Sequence, residues 1–89
     1  MVSVKRLVLD VLKPHHPNAL EFARILAGVG KNYHVTVTVS EVDEKTETLQ
    51  VIIEGPAIDF DAIQDAISDQ GGSLHSVDEV EVHSGPKQE

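Results

Sequence analysis

The middle of the chain contains the feature that most restricts its fold, a pair of alternating segments separated by a turn. In the segment Tyr33–Val42, apolar side chains occupy every second position as far as Val39, and polar side chains lie between them. A second alternating segment ends at Gly55. The residues Asp43–Thr46 between the two segments have turn composition, with aspartate at the favoured first position. Alternation on both sides of a short turn predicts an antiparallel hairpin with one buried face.

The segments that flank the hairpin predict a strand and a helix before it, and a helix and a strand after it. Strand one is predicted over about Ser3–Lys13, and strand four within Leu74–His83. Helix one is predicted to begin near Asn18, a residue type that is favoured at helix N-caps. Helix two is predicted over about residues 60–70, with Asp59 as its cap.

This order of elements, βαββαβ, is the ferredoxin-like α+β arrangement. Right-handed crossovers place strands one and three in the centre of an antiparallel four-stranded sheet, in the order 4-1-3-2, with strands two and four at the edges. Both helices then cover one face of the sheet. The other face is open and contains Val8 and Ile52, whereas Val80 and Val82 of strand four are expected to point inward.

The length of 89 residues is enough for one domain and too short for two. We place the domain at residues 3–83 and predict a frayed polar tail at residues 84–89. A domain of this size buries only roughly 60–65% of its unfolded surface, so assembly into an oligomer would add stability. Disulfides cannot supply that stability, because the chain has no cysteine.

The composition excludes several classes of partner. Fifteen acidic and seven basic residues give a net charge of −8, which repels nucleic-acid backbones. A single tyrosine and two phenylalanines offer no stacking platform for bases. No segment has the ~20 consecutive apolar residues of a membrane span, and no N-terminal signal peptide is recognisable. We therefore predict a cytoplasmic protein that binds neither nucleic acid nor membrane.

No arrangement of residues predicts catalysis. Residues 28–31 contain two glycines and a lysine, but they follow a helix, whereas a phosphate-binding loop precedes one. We interpret them as a helix stop. The adjacent pair His15 and His16 has no third ligand at a suitable spacing, so both are interpreted as solvated loop residues. No activated nucleophile can be named, and the chain is predicted to have no enzymatic activity and no certain cofactor.

A divalent cation is the ligand that the acidic residues suggest, with Ca²⁺ or Mg²⁺ as candidates. Asp10 and His75 are predicted to share the open face, and Asp78 and Glu79 lie on an edge strand without a nearby base. A cation bound by these residues at a subunit boundary would relieve the repulsion between acids that assembly brings together. The alternative interpretation is an ordinary Asp–His contact with the remaining acids facing solvent.

Several longer stretches carry a resemblance to a known family. They are Arg6–His15, Glu41–Asp43 with Thr46–Glu47, Ile53–Gly55 and Gly71–Val80. Together they resemble a family of short archaeal proteins known only as a domain of unknown function, number two hundred and eleven in its series. The resemblance extends from Val4 to about Val82. The chain departs from the family pattern at Lys31–His34, which is bulkier than expected after the preceding glycines.

The resemblance implies a ferredoxin-like domain that assembles into a ring-shaped homo-oligomer. It implies no activity, so no catalytic residue can be transferred. Our main hypothesis is therefore a non-catalytic homo-oligomer that binds a divalent cation at its subunit boundaries. The alternative is a regulatory domain similar to ACT domains, which share this element order and bind small metabolites at subunit interfaces. The corresponding loop here, Pro14–Pro17, lacks the glycines of ACT domains, which counts against the alternative.

Overall fold

The structure is a computed structural model that describes residues 1–85. Its elements in chain order are β1 (Val2–Pro14), α1 (Ala19–Ala27), β2 (His34–Val42), β3 (Thr46–Glu54), α2 (Phe60–Asp69) and β4 (Ser73–Ser84). The strands form one antiparallel sheet in the order β2-β3-β1-β4, which is the predicted order read from the other edge. The predicted ferredoxin-like α+β fold is confirmed.

The core lies between the sheet and the helices. Alternate residues of β1 point toward the helices, and Leu7 and Leu9 lie opposite the buried Ile53 and Val51 of β3. The helices cover this layer with Phe22 and Leu26 of α1 and with Ile63 and Ile67 of α2. Because burial of one such side chain contributes roughly 1.5–3 kcal/mol, this layer is the main source of stability.

Both helices begin at the residues that the sequence indicates. Asn18 Oδ1 accepts a hydrogen bond from the backbone N–H of Glu21 at 2.9 Å, and Asp59 Oδ1 accepts one from Ala62 at 3.1 Å. These bonds satisfy N–H groups that have no partner within the helix. After α2, Gly71 has a φ of 82°, a conformation that favours glycine. Within residues 1–85, no helix is long and apolar enough to cross a bilayer.

Val8, Val80 and Val82 lie on the faces that the sequence predicts, but their exposure differs from what those faces suggest. Val8 faces the side of the sheet that lacks helices, yet it is only 6% exposed, because it is a small side chain in register between Ile52 and Glu79. Val80 and Val82 do point toward the helix side, where Val80 is in register with the inward-facing Leu7, but they remain exposed. The cause is that α2 makes few contacts with β4 and leaves that edge of the sheet uncovered.

The last strand extends slightly beyond its predicted end. Ser84, which the sequence places in the tail, belongs to β4 and lies opposite Val2. The backbone N–H of Gly85 donates to the carbonyl of Met1 at 3.1 Å, so both ends of the described chain lie together. Residues 86–89 of the predicted tail lie outside the described residues.

The ring of Tyr33 is held between two glycines at one end of the sheet. A Cβ atom on Gly30 would lie 2.6 Å from its Cε1 atom, and a Cβ atom on Gly55 would lie 3.1 Å from its Cδ1 atom. The tyrosine hydroxyl accepts a hydrogen bond from the backbone N–H of Asp59 at 2.8 Å. The bulky segment after the glycines therefore fastens the end of α1 to the start of α2.

We predict that Gly30→Ala destabilises the protein by about 1–3 kcal/mol, because the added methyl group must displace the Tyr33 ring from a packed position. The measurement is the free energy of unfolding in urea. The matched control is Gly28→Ala, where the nearest atom to a Cβ is 3.5 Å away and φ is −79°. The control should be neutral or gain up to about 1 kcal/mol. Equal stabilities of the two variants would contradict this account.

Candidate functional site

The predicted cation ligands on β4 lie where the pairing of β4 with β1 is irregular. Asp10 is opposite Ser76, and the next β1 residue is opposite Leu74, so His75 is an extra residue in the strand. Asp78 is extra in the same way, because Val8 of β1 is opposite Glu79 and Leu9 is opposite Val77. Such β-bulges re-aim side chains and increase the local twist of the strand. Two of the four predicted ligands therefore owe their direction to bulges.

The structure brings Asp10 and His75 together. Asp10 Oδ2 lies 3.9 Å from His75 Nδ1, which is longer than a hydrogen bond, and both side chains retain access to solvent. Gln50 of β3 is opposite Asp10 on the other side of β1 from His75. The Asp10 and His75 side chains are adjacent without being locked to each other, which leaves both able to bind another group.

Asp78 and Glu79 each have a partner within the chain. Asp78 Oδ1 accepts a hydrogen bond from the Ser76 hydroxyl at 2.7 Å. Glu79 Oε2 accepts one from Arg6 Nε at 2.8 Å, while Arg6 Nη1 donates to Glu54 at 2.8 Å. Glu79 first, and Glu54 after it, raise the pKa of Arg6 above its ordinary value. Arg6 thus links three strands across the sheet face without helices.

The four predicted ligands do not converge within the chain. Glu79 is directed toward Arg6, whereas Asp10 and His75 form a separate pair. In the part of the chain that the structure describes, no three histidine or acidic side chains are grouped closely enough to hold a metal ion. Ca²⁺ takes six to eight oxygen ligands, so these side chains alone do not complete a site.

A second cluster, which the sequence analysis missed, surrounds the buried Lys13 at the end of β1. The ammonium group donates to the carbonyl of Pro14 at 2.8 Å and to that of Pro17, and it lies 5.9 Å from the centre of the Phe22 ring. It also forms an ion pair with Glu47 Oε1 at 3.1 Å, without hydrogen-bond geometry. Lys13 therefore holds the β1–α1 loop against the start of β3.

His15 completes this cluster and is not the solvated loop residue that the sequence suggests. Its Nδ1 lies 3.2 Å from Glu47 Oε2, and its Nε2 lies 3.0 Å from the carbonyl of Glu44. Only the imidazolium form can donate to both oxygens at once. The pKa of His15 is accordingly raised, first by Glu47 and then by the Glu44 carbonyl, and the pKa of Glu47 is lowered, first by His15. His16, by contrast, is exposed.

One signal in the sequence could have identified this cluster. Lys13 continues the alternation of Leu7, Leu9 and Val11, so it belongs to the inward-facing row of β1. A lysine in such a row is buried only when it is paired, and a nearby acid should therefore be sought. We name Lys13, His15 and Glu47 the loop clasp. All three polar groups are engaged with each other or with the backbone.

The loop clasp should make stability depend on pH in a defined direction. Because the pKa of His15 is raised on folding from 6.5, its contribution is fully present below that value and is lost as the pH rises through the folded-state pKa. Because the pKa of Glu47 is lowered from 4.5, its contribution is present above that value and is lost as the pH falls through the folded-state pKa.

We therefore predict that His15→Gln removes the part of the stability loss that occurs as the pH rises through the titration of this histidine. The measurement is the melting temperature from about pH 5 to about pH 8, the interval in which histidine titrates. His16→Gln is the matched control and should keep the pH dependence of the parent protein, because His16 is exposed. An unchanged pH dependence in His15→Gln would show that the clasp does not control stability.

Comparison with known proteins supports the family resemblance that the sequence indicates. Residues 5–86 match the family DUF211, described as uncharacterized ArCR. The uncharacterized protein MJ0319 of Methanocaldococcus jannaschii is 45% identical over 80 residues, which cover 90% of this chain and 82% of that protein. The chain therefore belongs to the DUF211 family.

Proposed function

We propose that this protein is a non-catalytic assembly module, a ring-like homo-oligomer that binds a divalent cation at its subunit boundaries. The observation that carries the proposal is the exposed edge of β4. The strand has 12 residues and pairs with β1 on one side. On the helix side of this edge, Val77, Val80 and Val82 are 42%, 53% and 50% exposed. Apolar side chains in a row along a sheet edge mark a surface that another chain covers.

A groove next to these valines supports the assembly. It has a volume of about 250 Å³ and is lined by Val4, Leu7, Phe60, Val77 and Val80. All five side chains are apolar, and the groove lies where α2 fails to cover β4. A small domain without disulfides has little stability in reserve. Covering the groove and the edge with another subunit would add buried apolar surface at roughly 25 cal/mol per Å².

The absence of catalysis is supported by the state of the most clustered titratable groups. Lys13, His15 and Glu47 are engaged in the loop clasp, so none is placed to act on a bound molecule. The same contacts weigh against the ACT-like alternative with a small metabolite as ligand. In that alternative the loop after β1 holds the ligand, whereas here it is fastened to the hairpin.

The cation proposal rests on charge. A net charge of −8 per chain is multiplied in a ring, and β4 brings Asp78, Glu79 and Glu81 to its edge without a lysine or arginine. Acids that meet at a subunit boundary cost several kcal/mol each unless they are neutralised. Asp10 and His75 lie next to these acids on the same strand pair. Ca²⁺ or Mg²⁺ would draw ligands from this group, from water and from the neighbouring subunit.

The first expected outcome concerns size. Light scattering coupled to size-exclusion chromatography should report a species larger than a dimer at protein concentrations on the order of tens of micromolar, where mass action favours the assembled form. A monomer at that concentration would overturn the assembly proposal.

The second expected outcome concerns the cation. Calorimetric titration of metal-stripped protein should show weak binding of Ca²⁺ or Mg²⁺, and the double variant Asp78→Asn/Glu79→Gln should lose the heat of binding. The control is Asp61→Asn/Asp65→Asn, which removes the same number of charges from the exposed face of α2. No heat, together with no change in oligomer size on adding chelator, would end the cation proposal. Equal binding by the Asp78/Glu79 variant would move the site elsewhere.

A further inference from the structure

The directions of the two edge strands determine how copies of this sheet can join. The sheet has four antiparallel strands, so β2 and β4 run in opposite directions at its two edges. A rotation about an axis parallel to the strands keeps every strand direction. It therefore brings β2 of one copy antiparallel to β4 of the next, with the helices of both copies on the same side.

The charges along β4 disfavour its pairing with a second β4. Asp78 and Glu79 lie at the middle of the strand, and Glu81 follows close by. A two-fold axis through the middle would place these acids opposite or diagonal to their own copies. Like charges across a strand pair destabilise it, and Asp78 and Glu81, which form no ion pair in the part of the chain that the structure describes, would act together here. The β4 edge is thus built to accept a different strand.

The β2 edge is neutral from Val35 to Val39, and its one acid, Glu41, lies near the end of the strand that an antiparallel pair brings to the start of β4, away from Asp78 and Glu79. Between His34 and Ser40 it has only valine and threonine, with no acid or base. Lys31 is exposed and lies just before the strand, so in an antiparallel pair it comes near the carboxyl end of β4, where Glu81 is located. The pairing of β2 with β4 therefore replaces repulsion by neutral contacts and one attraction of opposite charges.

The apolar side chains of the two edges also lie on the same side of the sheet. Val39 of β2 is in register with the inward-facing Leu49, and Val42 with Glu47 of the loop clasp, so both valines point to the helix side. They are 41% and 63% exposed. The groove beside β4 opens on that same side. In a continuous sheet, valines of β2 meet the exposed valines of β4.

From these features we propose that the occupant of the β4 groove is the β2 edge of a second copy of this chain, paired antiparallel with β4. This inference rests on the proposed function and names the surfaces that join. Each subunit uses two different edges, so the contact is heterologous and generates a ring when the rotation closes. Closure leaves no strand edge open, which a two-fold pairing of β2 with β2 would not achieve, because both β4 grooves would stay uncovered.

A mixing experiment tests the heterologous contact directly. Val80→Asp blocks the β4 groove and leaves β2 intact, whereas Val39→Asp blocks the β2 edge and leaves β4 intact. Each variant alone should be monomeric. An equimolar mixture with one variant isotopically labelled should form a one-to-one heterodimer by native mass spectrometry, since one intact β4 and one intact β2 remain. Leu20→Asp, on the exposed face of α1, is the control and should retain the assembly of the parent protein.

Circular dichroism checks that each variant is folded, and Val82→Asp with Val42→Asp is a second pair for the same test. Folded variants that fail to combine in the mixture would overturn the inference. A dimer of Val80→Asp alone would show that β2 pairs with itself, and variants that keep the parent size would place the contact elsewhere. These results leave the proposed assembly standing if the parent protein is larger than a dimer. A monomeric parent protein would overturn both the proposed assembly and the proposed contact between β2 and β4.

Discussion

The inward-facing row of β1 is the constraint on which the rest of the structure depends. It begins with apolar residues at Leu7 and ends in the buried Lys13, so a charge lies where the apolar row meets the end of the sheet. A buried ammonium costs several kcal/mol unless it is paired and hydrogen-bonded. Glu47 of β3 and the carbonyls of Pro14 and Pro17 provide those partners. Burial of one side chain thereby couples the path of the β1–α1 loop to the position of the hairpin.

The two edges of the sheet differ because the helices cover them unequally. α1 packs against β2, whereas α2 makes few contacts with β4 and leaves its valines exposed. β4 also carries bulges at His75 and Asp78, and bulges and charges are the usual means by which edge strands avoid indiscriminate pairing. An edge with apolar residues on one side and acids at its centre is selective. In the assembly that we propose, such an edge disfavours its own copy and favours a strand that brings no negative charge.

Element order, sheet order and strand faces follow from the sequence because alternation and helix caps depend on neighbours a few residues away. The bulge at His75 and the pairing of Arg6 with Glu79 depend on the register between distant strands, and the two paired residues are 73 positions apart. Periodicity carries no information about such a register. Lys13 is different: its alternation placed it inward, but the general preference of lysine for solvent concealed this. The burial of Val8 depends on which side chains flank it across the sheet.

Cation binding and subunit contact cannot be independent if both use β4. Arg6 already neutralises Glu79 and Glu54, whereas Asp78 accepts only the Ser76 hydroxyl and Asp10 has only His75 beside it, at 3.9 Å. A second strand placed against β4 lowers the exposure of these acids to water and raises the cost of their charge. A cation that lowers this cost favours the assembled state, and by linkage the assembled state binds the cation more tightly. The ionic strength then acts on both equilibria together, since screening weakens the same repulsion that the cation relieves.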